Sequence, residues 1–397
     1  MSLAIEGAPQ EKASLLYDPK VRGIAWQVIL FVIIGFVVYE AYSNAVENLQ
    51  KAKIASGFGF WDVISGFDIG QHLIDYSAAT GTYGRAFWVG LLNTLLVAVI
   101  GCVLATFLGF TVGVARLSHN WVVAKIATVY VELIRNVPLL LQLLIWYNAV
   151  LKPLPNPRDS FKFFGDSFAL NNRGLYVPEP TFLPAFSAVS WTLLGGILAS
   201  ILFRLWAKKQ QALTGRQYPI GLVALALIVV LPGLVFLVMG RPVEFSYPAL
   251  QGFNLRGGTQ IYPEFVALLV GLVTYTAAFI AEIVRAGILS VSKGQTEAAH
   301  ALGIRNGPTL KLVIIPQALR VIIPPLTSNY LNLTKNSSLA VAIGYPDLVQ
   351  VFMGTVLNQT GQAIEVIAIT MLVYLTISLT TATFMNWYNS RKALVER

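Results

Sequence analysis

The chain is short of charge. Asp, Glu, Lys and Arg make up 12% of its 397 residues, whereas a soluble globular domain carries about 25%. Hydrophobic residues make up 56%. Apolar runs of about 18 residues or more recur, and each is long enough to cross roughly 30 Å of hydrocarbon. This composition excludes an ordinary soluble domain and predicts an all-α polytopic membrane protein.

Residues that bind metals or nucleotides are also scarce. Cys102 is the single cysteine and lies in an apolar run, which excludes a disulfide framework and a thiolate metal site. The three histidines, His72, His119 and His300, form no group with metal-ligand spacing. The sequence lacks a Gly-x-x-x-x-Gly-Lys-Ser/Thr phosphate loop. We therefore expect this chain to hold no cofactor and any ATP to be hydrolysed by another protein.

The net charge of +9 does not indicate nucleic acid, because neither a recognition helix nor an aromatic platform for single strands accompanies it. Basic residues in membrane proteins instead mark cytoplasmic loops. Residues 1–23 lack a short apolar run with a cleavage site, so we expect no cleaved signal peptide. With eight spans, most basic residues fall on the face that carries both termini, which is then cytoplasmic. The predicted spans are 24–43, 87–115, 124–151, 184–206, 217–240, 262–284, 319–344 and 363–387.

The seventh predicted span is unusual because it contains Pro324, Pro325 and Lys335. It must be kinked, and it must face protein or water rather than lipid.

The segment between the sixth and seventh spans, residues 293–320, has helix signals of its own. Ser292 can serve as N-cap, with Gln295 completing a capping box, and Gly303 occupies the position of a left-handed C′ residue. A helix of roughly ten residues is marginal alone in water, so it needs a surface to dock against. That surface is either a partner protein or the chain's own helices, and residue spacing leaves both open.

The same segment resembles the EAA loop of the membrane subunits of ABC importers. The resemblance lies in KGQTEAAHALG, which begins at Lys293, and in IIPQALRVIIPPL, which begins at Ile314. Three further segments, at 90–118, 130–144 and 276–291, resemble the polar-amino-acid permease branch of that family.

An insertion separates these matches. It lies between Leu151 and Tyr262 and contains the fourth and fifth predicted spans and a polar stretch. This layout is similar to that of the larger membrane subunit of the general L-amino-acid importers of Gram-negative bacteria.

The resemblance implies a five-helix permease core of the type I importer fold, in the lipid of the bacterial inner membrane. It implies a second related permease subunit, and cytoplasmic ATPase subunits that bind ATP and Mg and receive a coupling helix from the EAA loop. It further implies a periplasmic amino-acid-binding protein and an amino-acid substrate, with broad specificity expected.

The expected division is a cytoplasmic tail at 1–23, the first span and a periplasmic loop at 24–85, a first core segment at 86–151, the insertion at 152–261, a second core segment at 262–390 with its EAA loop at 285–318, and a cytoplasmic tail at 391–397.

The EAA loop suits close contact with a partner. Small side chains allow a partner backbone to approach, Glu297 is favourable near the helix start, and Pro316 interrupts the apolar stretch that leads into the seventh span. The expected ATPase-coupling residues are Gly294, Glu297, Ala298, Ala299, Gly303 and Pro316.

Ionisable residues within spans are functional candidates in a bilayer. Two pairs have the form Glu-x-x-Arg, so each can neutralise itself on a helix. Each pair is either a structural salt bridge near the cytoplasmic end of a span or a component of the path that meets the charged groups of an amino acid. Pro138 breaks the third span, and backbone groups freed at such a break can bind a zwitterion. The candidate path residues are Glu132, Arg135, Gln142, Asn148, Thr276 and Glu282, with Asn93 and Thr94.

Other interpretations remain open at this stage. An ion-coupled secondary transporter of small polar solutes predicts an inverted repeat and a deeply buried carboxylate at a broken helix, and the sequence shows no convincing repeat. A membrane-embedded enzyme lacks a catalytic cluster. The small residues Gly109 and Gly113 permit a close helix crossing, either within the chain or between subunits.

Overall fold

The computed structural model describes residues 19–51 and 56–392. Most of the expected tails at 1–23 and 391–397, and the expectation of no signal peptide, lie outside the described residues. The α-helices are α1 (Pro19–Lys51), α2 (Tyr83–Ala115), α3 (Trp121–Asn136), α4 (Leu139–Leu144), α5 (Phe186–Thr214), α6 (Ile220–Leu225), α7 (Leu231–Val238), α8 (Pro263–Leu289), α9 (Lys293–Ala301), α10 (Asn306–Thr309), α11 (Ile315–Asn336), α12 (Leu357–Thr360) and α13 (Ala363–Lys392). The strands are β1 (Phe161–Phe163), β2 (Phe168–Asn171), β3 (Gly174–Val177), β4 (Glu179–Phe182), β5 (Val243–Ser246), β6 (Ala249–Gln251), β7 (Asn254–Arg256) and β8 (Thr259–Ile261).

Helices long and apolar enough to cross a bilayer dominate the fold. Seven such helices occur among the described residues, and a bent helix pair makes an eighth if it counts as one span. The predicted polytopic helical class is confirmed, and the eight predicted spans correspond to these helices. The seven single helices are Val21–Asn48, Tyr83–Ala115, Phe186–Thr214, Ile220–Val238, Pro263–Leu289, Asn306–Ile343 and Ala363–Arg391.

The third predicted span, 124–151, is broken at Pro138, as the sequence predicts. The chain bends by 105° between α3 and the helical stretch Leu139–Leu151. Pro138 lacks an N–H and disfavours helical geometry in the residue before it. Val137 is accordingly extended, with φ −100° and ψ 126°.

The seventh span begins at Asn306, earlier than predicted, and reaches Ile343. Helix α11 continues through Pro324 and Pro325. The helical geometry changes at both ends of α11, with a π-helical turn at Leu310–Ile314 and a 3-10 segment at Ser337–Ile343.

The chain forms two compact units. The first comprises Met1–Leu92 and Leu348–Ile377. Its core is rich in aromatic rings: Phe87 packs against Trp61 and Phe352 at centroid distances of 5.2 Å each. Glycine at position 84 is required there, because a Cβ would lie 2.4 Å from Trp61 Nε1.

The second unit comprises Asn93–Asp347 and Ser378–Arg397, and α8 lies at the centre of its core. Leu268, Leu272 and Ile280 on α8 are fully buried. A Cβ at Gly109 of α2 would lie 2.6 Å from Ile280 Cβ, and one at Gly113 would lie 2.7 Å from Val284 Cβ. The Gly-x-x-x-Gly step therefore serves packing within the chain.

The insertion contains strands that the sequence analysis did not predict. Strands β1, β2, β3 and β8 form an antiparallel sheet, while β4 pairs with β5 and β6 with β7. The β4–β5 pair joins the chain entering α5 to the chain leaving α7, and the β3–β8 pair joins the two ends of the insertion. The insertion is thus a helical hairpin with paired strands at its base.

Two neighbouring glycines of α5 test this hairpin. A methyl group at Gly196 would lie 2.1 Å from the Leu227 carbonyl oxygen, whereas one at Gly195 meets nothing within 4 Å. We expect Gly196→Ala to destabilise the protein by about 1–3 kcal/mol through overpacking. Gly195→Ala is the control, and it should leave stability unchanged or raise it by about 0.5–1 kcal/mol. Thermal melting of the purified protein in detergent measures both, and equal melting temperatures for the two variants would contradict this packing.

Candidate coupling helix and substrate path

Helix α9 begins at the predicted N-cap. The Ser292 hydroxyl accepts a hydrogen bond from the Gly294 N–H at 3.3 Å. The predicted return bond of a capping box is not formed among the described contacts. Gln295 Oε1 instead accepts a hydrogen bond from Gln317 Nε2 on α11, at 3.3 Å. The side chain that was expected to close the helix start therefore ties α9 to the following span.

Helix α9 is terminated by Gly303, which follows the C-cap residue Leu302 and has a φ of +76°. The Gly303 N–H donates to the His300 carbonyl at 2.9 Å, and the Ile304 N–H donates to the Ala299 carbonyl at 3.0 Å. This pair of bonds is a Schellman motif. The predicted left-handed C′ position of Gly303 is confirmed.

One face of α9 packs on the chain and the other is open. Ala299 is buried with 4% exposure, so it faces the chain itself. Leu302, just after the helix, is 80% exposed. The remaining expected coupling residues are exposed: Gly294, Glu297, Ala298, Gly303 and Pro316.

A cavity of about 430 Å³ lies beside α9. Its polar lining contains no carboxylate. The lining residues are His119, Ile288, Val291, Lys293, Thr296, His300, Asn306, Thr309, Leu310 and Ile314.

The link from α9 to α11 passes through Pro316. Because proline has no N–H, it cannot bond to the residue four positions earlier, and the helix widens nearby. The turn at Leu310–Ile314 is π-helical, and Ile314 within it is buried.

A cluster of charged side chains holds the end of α8. Glu282 accepts a hydrogen bond from Arg285 Nη2 at 2.7 Å and another from Arg116 Nη1, just after α2. Arg135 Nη1, near the end of α3, lies 3.9 Å from Glu282 Oε2. The Arg116 side chain is 10% exposed and that of Glu282 29%. One carboxylate thus joins the ends of three helices.

The two Glu-x-x-Arg pairs behave differently. Glu282 and Arg285 form the expected ion pair. The expected pair of Glu132 with Arg135 is wrong, because Arg135 turns to Glu282 and stacks over the Phe279 ring at 5.1 Å. Glu132 is exposed and has no ion pair within the described region of the chain.

Gln142 lies at the break between α3 and α4. Its Nε2 donates to the carbonyls of Ile134 and Val137, both at 2.9 Å. These two bonds fix the orientation of the amide, and they satisfy carbonyls freed at the end of α3. Its Oε1 is buried and has no hydrogen-bond partner among the described atoms.

The other candidate path residues differ in accessibility. Asn93 and Thr94 are fully buried and Thr276 is 4% exposed. Asn93 Nδ2 donates to the Pro346 carbonyl at 2.9 Å. Asn148, on the π-helical segment Ile145–Leu151, is exposed.

Sequence reasoning missed the role of Arg116. The available signal was its position three residues after Gly113, whose close packing on Val284 brings the end of α2 to Glu282. It also missed the hydrogen bond from the Tyr147 hydroxyl to Glu264 Oε1, at 2.6 Å.

These features define a multi-span membrane protein with an exposed, doubly capped helix between two spans. Residues 222–393 match the model of the family described as binding-protein-dependent transport system inner membrane component. The chain is 54% identical to the general L-amino acid transport system permease protein AapQ of Rhizobium johnstonii, over 97% of this chain and 95% of that protein.

Two further relatives match over nearly their whole length. The putative amino-acid ABC transporter permease protein YhdX of Escherichia coli is 52% identical, covering 97% of this chain and 98% of that protein. The glutamate/glutamine/aspartate/asparagine transport system permease protein BztB of Rhodobacter capsulatus is 44% identical, covering 96% of each. A solved amino acid ABC transporter with histidines is 21% identical, covers 78% of this chain and 95% of that one, and has a TM-score of 0.46. The chain belongs to the family of amino-acid ABC transporter permeases.

The charged cluster generates a matched test. Glu282→Gln leaves three arginines without their shared carboxylate. Because the Arg116 side chain is only 10% exposed, the loss of its partner costs about 1–3 kcal/mol. Glu132→Gln makes the same change at an exposed, unpaired position. We expect a lower melting temperature for Glu282→Gln and an unchanged one for Glu132→Gln. Equal melting temperatures would show that the cluster does not hold these helix ends.

Proposed function

We propose that this chain is the membrane-spanning permease subunit of an ATP-driven importer of L-amino acids with broad specificity. The functions of its relatives support this substrate class: one relative is a general L-amino acid permease and another a permease for acidic amino acids and their amides. In this proposal the chain lies in the bacterial inner membrane with both termini cytoplasmic. A periplasmic binding protein delivers the substrate.

The observation that carries the proposal is α9. It has nine residues, is capped at both ends and presents Glu297 and Ala298 to solvent. A partner ATPase docks on this face and hydrolyses ATP with its own Mg, so this subunit needs no nucleotide site. The Schellman end, the bond from Gln317 to Gln295 and the buried Ala299 make α9 move with the span that follows it. The conformational change of the ATPase is thus transmitted to the membrane-spanning helices through α11.

A second, related permease completes the path. If the path runs between two subunits, the polar groups that line it must be exposed to solvent in each subunit taken by itself. Asn148 and Glu132 meet that condition. Gln142 and Thr276 are buried within the chain, and the bonds of Gln142 suit it to supporting the helix break. Arg135, near the end of α3, and Glu282, on α8, are partly exposed.

Reversing one charge on α9 tests the docking. Glu297→Lys alters an exposed side chain, so we expect normal folding and a loss of ATP-driven uptake of about tenfold or more, equivalent to about 1.4 kcal/mol. Glu179→Lys, at an exposed position of β4, is the control and should transport normally. Uptake of labelled amino acid into proteoliposomes holding the whole assembly, with and without ATP, gives the answer. Normal uptake by Glu297→Lys would refute the docking site, and uptake without ATP would favour the secondary transporter.

Gly303 tests the fixed end of α9. Gly303→Asp places an L-residue at a φ of +76°, which costs about 1–2 kcal/mol, and adds an unfavourable negative charge at a helix C-terminus. We expect reduced uptake with unchanged insertion in the membrane. Gly307→Asp is the matched control, because Gly307 lies four residues further on, in α10, has no positive φ and meets nothing that a Cβ would strike. Equal uptake by the two variants would show that the Schellman motif at the end of α9 is not needed for transport.

The two amides of the broken span should separate path from support. Asn148→Leu should raise KM by about tenfold or more, since a hydrogen bond to a charged group contributes about 1.5–3 kcal/mol, and should leave the melting temperature unchanged. Gln142→Leu should lower the melting temperature, because two buried carbonyls lose their donor. The reverse result, with KM raised by Gln142→Leu and stability lost by Asn148→Leu, would exchange the two roles.

A further inference from the structure

A second polar cavity lies in the segment that precedes α2 and has no role in the coupling or path described above. Its volume is about 410 Å³, and short stretches of one continuous segment line it. The lining residues are His72, Asp75, Tyr76, Ser77, Thr80, Gly81, Thr82 and Arg85. The proposed orientation puts this segment, between the first and second spans, on the outer face of the membrane.

The wall of the cavity is firmly built. The Gly81 N–H donates to the Ser77 carbonyl at 2.7 Å, and the Gly81 carbonyl accepts from the Ser65 N–H at 2.8 Å. A Cβ at Gly81 would lie 2.6 Å from the Tyr76 ring. Burial raises the pKa of the Tyr76 phenol, so its hydroxyl stays neutral and donates to the Phe67 carbonyl at 3.0 Å.

Two opposite charges share this cavity without neutralising each other. Arg85 Nε donates to the backbone carbonyl of Asp75 at 3.0 Å, which orients the guanidinium and leaves its Nη groups available. The Asp75 carboxylate has neither a hydrogen bond nor an ion pair among the described residues, and it does not reach Arg85. Both side chains are exposed to solvent. His72 Nδ1 is engaged with the Ile69 carbonyl at 3.0 Å, which leaves Nε2 for a ligand.

We propose that this cavity is a receiving site for a free amino acid, which recognises the zwitterion rather than the side chain. The α-ammonium binds the Asp75 carboxylate, and the α-carboxylate binds the Arg85 guanidinium, which suits a planar anion. The Thr80 and Ser77 hydroxyls complete the polar rim. Since a pocket that reads only the two charges common to all amino acids accepts many side chains, the site fits a broad-specificity importer. This inference rests on the proposed function.

The test uses the assembly in nanodiscs, without binding protein, and equilibrium binding of tritiated leucine. All variants are made in an Asn148→Leu background, which removes the proposed path site. We expect Asp75→Asn and Arg85→Gln each to weaken leucine binding by about tenfold or more, as loss of a charge-assisted hydrogen bond predicts. Asp62→Asn and Arg256→Gln are exposed charge-matched controls and should bind as the parent does. Isocaproate, which lacks the ammonium, and isoamylamine, which lacks the carboxylate, should compete weakly.

Several results would overturn the receiving site. They are unchanged leucine binding by Asp75→Asn and Arg85→Gln, no leucine binding by the Asn148→Leu parent, or equal competition by isocaproate. A separate measurement adds the binding protein and follows ATP hydrolysis. If Asp75→Asn and Arg85→Gln bind leucine normally but the binding protein no longer stimulates their ATP hydrolysis, the receiving site is also overturned, and the cavity is a protein-docking surface. ATP-driven uptake by the unmutated assembly is measured in parallel. Failure of that uptake refutes the proposed function, whereas its success alongside failed binding refutes the receiving site alone.

Discussion

The carboxylate of Glu282 is the interaction on which the arrangement of the second unit depends. In the described region of the chain, it is the acceptor of every ion pair between residues far apart in sequence, with Arg116 and Arg135 as donors. The Arg116 side chain is 10% exposed, so salt screens its contact with Glu282 less than it screens a pair on the surface. Helix α8 ends at Leu289, one turn beyond Arg285, and α9 begins four residues later. The cluster therefore lies just before the loop that carries α9.

A bilayer also dictates where the chain can be irregular. Freed backbone groups in hydrocarbon must be satisfied within the protein. At the break before Pro138, the Gln142 amide donates to the carbonyls of Ile134 and Val137. Outside the spans, the long polar stretch of the insertion forms paired strands, so its backbone groups bond to one another. The β3–β8 and β4–β5 pairs supply these bonds.

Local features could be predicted from the sequence, and long-range ones could not. Ser292 and Gly303 were correct because caps depend on a few neighbouring residues. The predicted ion pair of Glu132 with Arg135 was wrong. Helical spacing shows which side chains are close on one helix, but it does not show which groups on another helix compete for them. Here Glu282 and the Phe279 ring draw Arg135 away. The strands were missed because each has three or four residues, and partners such as Leu175 and Ile261 lie far apart in sequence.

The marginal stability of α9 is suited to its proposed task. Nine residues are too few for an independent helix in water, since about 12–15 are marginal even in favourable sequences. The chain offsets this with two caps, the Gln295 contact and one buried alanine. These contacts hold one face and leave the other open, so a docking partner adds stability without having to displace anything. A helix held in this way transmits displacement through its fixed end, whereas a flexible loop would absorb it.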